Sequence, residues 1–148
     1  HARCTAEAIT HAEELCAARG QRLTPLRRQV LEVLAGSHKP LGAYEVMERM
    51  GGQGTRPAPI TIYRALEFLM QNGLVHRIES RNAFLACIGN HDARTPVVFL
   101  ICESCGAVGE ATAVPVGEAL ARAAKSAGFR PKMAVVEMTG VCAHCRER

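Results

Sequence analysis

Two pairs of cysteines carry the clearest chemistry in this sequence. Cys102-Glu103-Ser104-Cys105 and Cys142-Ala143-His144-Cys145 both read C-x-x-C, a spacing that lets two thiolates of one turn reach a single ion. Together they supply four sulfurs, and a closed four-sulfur tetrahedron is the donor set that structural zinc prefers. The stretch between the pairs is too long for a simple zinc ribbon, so a small folded unit must lie between them. A redox C-x-x-C, or ordinary buried cysteines, are the other readings. The part of the chain that holds the pairs is expected to depend on metal for its folding.

Seven cysteines, an odd number, suit metal ligation in a reducing compartment better than a secreted disulfide framework. No stretch approaches the roughly 18 apolar residues of a membrane span, and no leader pattern is visible. The expectation is a cytoplasmic protein with no membrane partner. The net charge of +4 is spread over both halves, which excludes a basic tail. Locally, Arg19, Arg22, Arg27 and Arg28 fall in an acid-free stretch. Such a spot fits phosphate contacts over a limited footprint, or a solvated helix face.

The elements that must position these groups follow from periodicity. A first helix is expected from Thr5 to Arg19, capped by Thr5 and stopped by Gly20. Thr24 as N-cap with Pro25 at the first helical position opens a second helix, ending near Gly36. A third spans about Ala43 to Met50, followed by a flexible Gly51-Gly52-Gln53-Gly54 connection. The fourth carries an apolar stripe at Ile62, Ala65, Leu66 and Leu69, with Thr61, Tyr63 and Arg64 largely away from it. Leu74–Ile78 and Ala83–Ala86 then alternate as two strands. Helices followed by a two-stranded ribbon make a winged helix-turn-helix, whose last helix enters the DNA major groove. Arg64 can fork onto a guanine or a phosphate, and Tyr63 offers a hydroxyl and a ring. A packed helix that happens to expose Tyr and Arg is the plainer alternative.

Beyond the wing, Val97–Ile101 reads as a buried strand, continued at Ala107–Glu110 after the first knuckle. Val116 to Ala127 reads as a helix with Val116, Ala119, Leu120, Ala123 and Ala124 on one stripe, and Met133–Met138 as a last strand. The fold class is therefore α+β. A winged helix-turn-helix domain over residues 1–86 precedes an α/β dimerisation domain with a structural zinc knuckle over 87–148. An exposed sheet edge in so small a unit invites pairing across a two-fold axis.

Thr24-Pro25-Leu26-Arg27-Arg28, Pro59-Ile60-Thr61-Ile62-Tyr63-Arg64-Ala65-Leu66, Gly73-Leu74-Val75-His76, Cys102-Glu103-Ser104-Cys105-Gly106 and Gly140-Val141-Cys142-Ala143-His144-Cys145, taken in this order, resemble the ferric uptake regulator family. The resemblance runs from about Ala8 to Cys145. It implies metal-dependent transcription control by a homodimer on double-stranded operator DNA. It further implies that Tyr63 and Arg64 sit on the recognition helix and that Tyr44 lies near the DNA backbone, with Thr61 and Arg27 as further DNA-side candidates.

Iron-type relatives usually carry a His-His-Asp-His run shortly before the first C-x-x-C, where this chain has Pro96-Val97-Val98-Phe99-Leu100-Ile101. The zinc uptake regulator branch instead pairs a wing histidine with a cysteine, then a loop histidine, then a glutamate. His76, Cys87, His91 and Glu110 match that order, although His91 follows Cys87 closely and Asp92 could replace or supplement it. Thiolate plus imidazole favours zinc. Taken singly, His76 could be a surface residue, Cys87 a small buried one and Glu110 an exposed strand charge. His11, His38 and His144 are read as surface residues, Cys4 and Cys16 as unliganded.

The implied function is zinc-responsive repression, mainly of zinc-uptake genes, with at least two zinc ions per subunit, one structural and one regulatory. An iron-, manganese- or peroxide-sensing regulator of the same family is the alternative. A redox sensor working through disulfides at the C-x-x-C thiols is a further one. No H-E-x-x-H or similar pattern is present and a four-thiolate site leaves no open position, so neither enzyme activity nor a small-molecule substrate is expected.

Overall fold

A computed structural model describes residues 2–51, 56–87, 96–131 and 134–148. His91 and Asp92, most of the glycine-rich connection after Met50, and Met133 lie outside the described residues. The chain divides into two compact units, His1–Gly89 and Asn90–Arg148.

The first unit is built on four helices: α1 (Ala2–Ala18), α2 (Pro25–Ala35), α3 (Ala43–Met50) and α4 (Pro59–Gln71). α1 starts earlier than the expected cap at Thr5, which lies inside it. Alanine-rich sequence and an Arg3–Glu7 pair at 3.0 Å, one turn apart, carry the helix back past that residue. Gly20 ends it as expected, at φ +64°, with the Gln21 amide donating to the Cys16 carbonyl at 2.8 Å. Thr24 caps α2 through its side chain, accepting from the Arg27 amide at 3.3 Å. One core then forms from Ile9, Ala12 and Cys16 of α1, Val30, Leu31 and Leu34 of α2, Val46 of α3 and the stripe of α4.

The chain leaves α4 through Asn72 and Gly73 and enters β1 (Val75–Ile78), which pairs antiparallel with β2 (Ala83–Ala86) so that His76 faces Leu85. A single 3₁₀ turn, Glu79–Arg81, joins them. Leu41 and Phe84 exchange both backbone hydrogen bonds, at 2.8 and 2.9 Å, and so pin the wing to the segment before α3. The unit is a winged helix-turn-helix.

The second unit is a three-stranded sheet in the order β4-β3-β5, made of β3 (Val97–Cys102), β4 (Val108–Thr112) and β5 (Val135–Gly140). β3 pairs antiparallel with β4 and parallel with β5. α5 (Val114–Ser126) connects β4 towards β5, and the short α6 (Ala143–Arg146) follows. α5 begins two residues before the expected Val116, because Pro115 is already set for the first helical turn. Its expected apolar stripe is not buried: no residue of α5 is, and Leu120 is exposed. The buried hydrophobic side chains of this unit, among the described residues, are Val98, Phe99, Ile101 and Cys102, all on β3. Leu100, Phe129, Val135, Met138 and Val141 are exposed, leaving apolar surface that the described residues of this unit do not cover.

Leu66 is fully buried on α4 whereas Glu67 beside it is exposed. Leu66→Ala is expected to cost about 3 kcal/mol and Glu67→Ala less than about 0.5 kcal/mol, measured by chemical denaturation followed by circular dichroism. Equal costs would contradict the placement of the α4 stripe.

Candidate metal centres and nucleic-acid interface

Parallel pairing of β3 with β5 delivers both C-x-x-C pairs to the same end of the sheet. Cys102 closes β3 in register with Gly140 at the end of β5. The chain then turns back, with the Gly106 amide donating to the Cys102 carbonyl at 2.9 Å and Gly106 itself at φ +75°. On the other side Cys142 opens α6, and the Cys145 and Arg146 amides donate to its carbonyl at 3.0 Å each. The Glu103 amide, bonded to the Gly140 carbonyl at 2.9 Å, fastens one turn to the other.

The four sulfurs of Cys102, Cys105, Cys142 and Cys145 all lie within 4.8 Å of one another. Cys105 Sγ and Cys142 Sγ are 3.9 Å apart, against about 3.8 Å for two sulfurs on a tetrahedron with zinc–sulfur bonds of about 2.3 Å. The donor set therefore fits a closed tetrahedral site with no position left for substrate. Cys4 is exposed and Cys16 buried in the core. Burial pushes the Cys16 thiol up, outweighing the pull of Arg27 and Arg19, which makes it a poor ligand.

On the wing of the first unit, ligand atoms of His76 and Cys87 lie within 4.8 Å of each other. Antiparallel pairing causes this, since His76 is the second residue of β1 and Cys87 follows the last residue of β2. The Cys87 amide donates to the Leu74 carbonyl at 2.9 Å and holds the strand ends together directly after α4. Glu110 is exposed on β4 of the second unit, opposite Phe99. The remaining candidates, His91 and Asp92, fall outside the described residues.

α4 presents Tyr63 and Arg64 exposed, Thr61 half-buried, and buries Ile62, Ala65, Leu66 and Leu69. Tyr44 is 61% exposed at the start of α3. Arg27 behaves differently. It is half-buried, its guanidinium lies 3.7 Å from the Phe68 ring centroid, and its Nη1 donates to the Arg22 carbonyl at 2.7 Å. Arg28 pairs with Glu13 and, at 3.0 Å, with Glu32, while Arg19 donates to Asn72 at 2.9 Å. The acid-free run of arginines in sequence is thus largely engaged inside the unit, with Glu13, Phe68 and Asn72 supplied by other helices and their ends and Glu32 by the next turn of α2. Ile60, 58% exposed in the first turn of α4, is an apolar group on this face that motif reading passed over. Its position off the buried stripe was the available signal.

A model of the ferric uptake regulator family matches residues 18–139. The zinc uptake regulation protein of Escherichia coli (strain K12) is 36% identical over 144 residues, covering 97% of this chain and 84% of that protein. Among solved structures, a zinc uptake regulator complexed with zinc and DNA is similar at a TM-score of 0.86 and 34% identity, over 97% of this chain and 95% of that one. The crystal structure of holo XcZur is similar at a TM-score of 0.86 and 41% identity, over 95% of this chain and 97% of that one.

Proton affinity divides the four clustered thiols. Hydrogen bonding from the Cys142 backbone amide, 3.4 Å from the Cys102 sulfur, and from that of Cys105 brings Cys102 down to about 6. Cys145 is pushed up to about 12, chiefly by its hydrogen bond with the Cys142 sulfur and then by burial. At pH 7 Cys102 is thiolate and Cys145 thiol, so metal capture must expel protons, and below pH 6 protonation of Cys102 adds to the competition. Affinity is expected to fall on acidification, most steeply below pH 6, in competition titrations with a chromophoric chelator. An affinity independent of pH would rule out thiolate ligation.

Proposed function

The chain belongs to the ferric uptake regulator family, a family of transcription regulators, and from that premise we propose that it is a zinc-responsive regulator that binds operator DNA as a homodimer and mainly represses zinc-uptake genes. The reading includes action in the cytoplasm and no enzymatic activity. Among the described residues, no helix is long and apolar enough to cross a membrane.

The observation that carries this reading is the approach of His76 and Cys87 on the same unit that exposes Tyr63 and Arg64. An imidazole and a thiolate at that spacing favour zinc over iron or manganese, which prefer nitrogen and oxygen donors. In this reading Cys102, Cys105, Cys142 and Cys145 hold a structural zinc, and His76, Cys87, His91 and Glu110 hold a regulatory one. Bound in these sets, the ions supply cross-links between segments that the apolar core leaves loose. Residues 1–86 form the DNA-binding domain and 87–148 the dimerisation domain, whose exposed Leu100, Val135 and Met138 supply apolar surface for a second copy.

The side chains divide the work. Arg64 and Tyr63, with Thr61, meet base edges and phosphates in the major groove, and Tyr44 meets the backbone. His76 and Cys87, drawn onto a common ion, hold the two strand ends that follow α4. The Leu74–Cys87 hydrogen bond links those ends to the turn leaving α4, so their order bears on the helix that reads DNA.

The test measures binding to a duplex that the wild type selects from a randomised pool, against buffered free zinc. Wild type is expected to bind only above a zinc threshold. Cys87→Ala should lose that response yet remain a dimer, Cys102→Ser should lose the folded second unit, and Arg64→Ala should weaken binding by roughly 1–3 kcal/mol. Binding that ignores zinc but follows iron or peroxide would overturn the sensing assignment and leave the family intact.

A further inference from the structure

Thr61, Arg64, Phe68 and Asn72 recur at spacings of three, four and four residues, and so form one flank running the length of α4. The flank borders the buried stripe of Ile62, Ala65, Leu66 and Leu69. Its forward half carries groups offered to DNA. Its rear half is held by two arginines that come from the junction of α1 and α2.

Phe68 is half-buried, and the Arg27 guanidinium lies over its ring at 3.7 Å. Arg27 is itself fixed twice, by Nη1 donating to the Arg22 carbonyl at 2.7 Å and by its backbone amide donating to Thr24 Oγ1 at 3.3 Å. One turn further on, Asn72 is the buried polar residue of the described core, 5% exposed. Its Nδ2 donates to the Phe68 carbonyl at 2.9 Å and its Oδ1 accepts from Arg19 at 2.9 Å. Both guanidinium charges are felt by the Cys16 thiol inside the core, in keeping with side chains turned towards the junction.

An aliphatic stripe fixes which side of a helix is buried, but its contacts are non-directional and leave the fine aim of the exposed side chains to other groups. A planar cation stacked on a ring and a guanidinium hydrogen bond to a buried amide are directional. We infer that Arg27, acting through Phe68, and Arg19, acting through Asn72, are positioning residues that set the rotation of α4 and thereby aim Arg64 and Thr61. This rests on the DNA-binding reading of α4 above. Arg27 then contributes to sequence discrimination from behind the helix and not as a phosphate contact.

The experiment uses the full-length zinc-loaded protein, the duplex selected by the wild type and a mixed-sequence duplex of equal length, across a series of salt concentrations. Arg27→Met and Phe68→Leu are each expected to weaken binding to the selected duplex roughly fivefold. Binding to the mixed-sequence duplex should barely change, and the salt slope should stay that of the wild type. The double variant should be no weaker than either single one, as for two halves of one contact. Arg27→Lys restores the charge without the planar fork and should recover only part of the loss. Arg19→Met should reproduce the pattern with Asn72→Ala as its partner.

A salt slope lowered by about one, equal loss on both duplexes and full recovery by Arg27→Lys would make Arg27 a phosphate contact and overturn the inference. Losses that simply add in the double variant would overturn it too. Should Arg27→Met fail to fold, Arg27→Lys and Phe68→Leu carry the same comparison. A wild type that selects no duplex overturns the DNA-binding reading, and this inference with it.

Discussion

The second unit depends on four sulfurs because it has little else. Among the described residues its buried apolar side chains come from β3 and from Pro96 just before it, and α5, the helix that could have covered the sheet, buries none of its own. So small a core cannot offset the entropy of ordering three strands and a helix. A tetrahedral cross-link at the end of β3 and β5, where the chain would otherwise fray, supplies what burial does not. The same shortage leaves Leu100, Val135 and Met138 exposed, and a second copy of the chain is the natural cover. Metal ligation and dimerisation answer one deficit.

The first unit has the opposite economy. Its core draws on all four helices and the wing, so α4 is held firmly along one stripe while Tyr63 and Arg64 remain in solvent. In the reading proposed above this helix meets DNA, so its exposed side chains need aiming, and aim requires directional contacts that hydrophobic burial does not provide. Guanidinium groups over a ring and against a buried amide are contacts of that kind. His76 and Cys87, the ligands proposed for the regulatory metal, sit at the foot of the wing, one hydrogen bond from the segment that leaves α4. Any coupling between metal and DNA is reciprocal: operator DNA must tighten the regulatory metal by the same factor by which the metal tightens DNA.

Much of this was legible in the sequence because the signals are local. C-x-x-C spacing, the Thr24-Pro25 start of α2, the α4 stripe and the two strands of the wing are each written within a few neighbouring residues, and backbone geometry acts at that range. The start of α1 was misplaced because Thr5 looked like a cap, yet helix propensity and the Arg3–Glu7 pair outweighed it. The helix over residues 114–126 was legible as a helix, but its apolar stripe is not buried, since periodicity gives a helix its apolar side without supplying a surface to cover it.

What the sequence by itself determined was the four cysteines that cluster, the order of elements and the division of α4 into a buried and an open side. Tertiary structure alone decided where the arginines point. Arg19, Arg27 and Arg28 read together as one basic spot, yet each finds a different partner, Asn72, Phe68 and Glu13, that only packing brings within reach, Glu32 being a local partner one turn on from Arg28 in α2. A long flexible cation carries no local period, so its direction is set by whatever acceptor or ring the fold places near it. The gathering of four sulfurs had the same origin: two motifs far apart in sequence meet because β3 and β5 run parallel and end together.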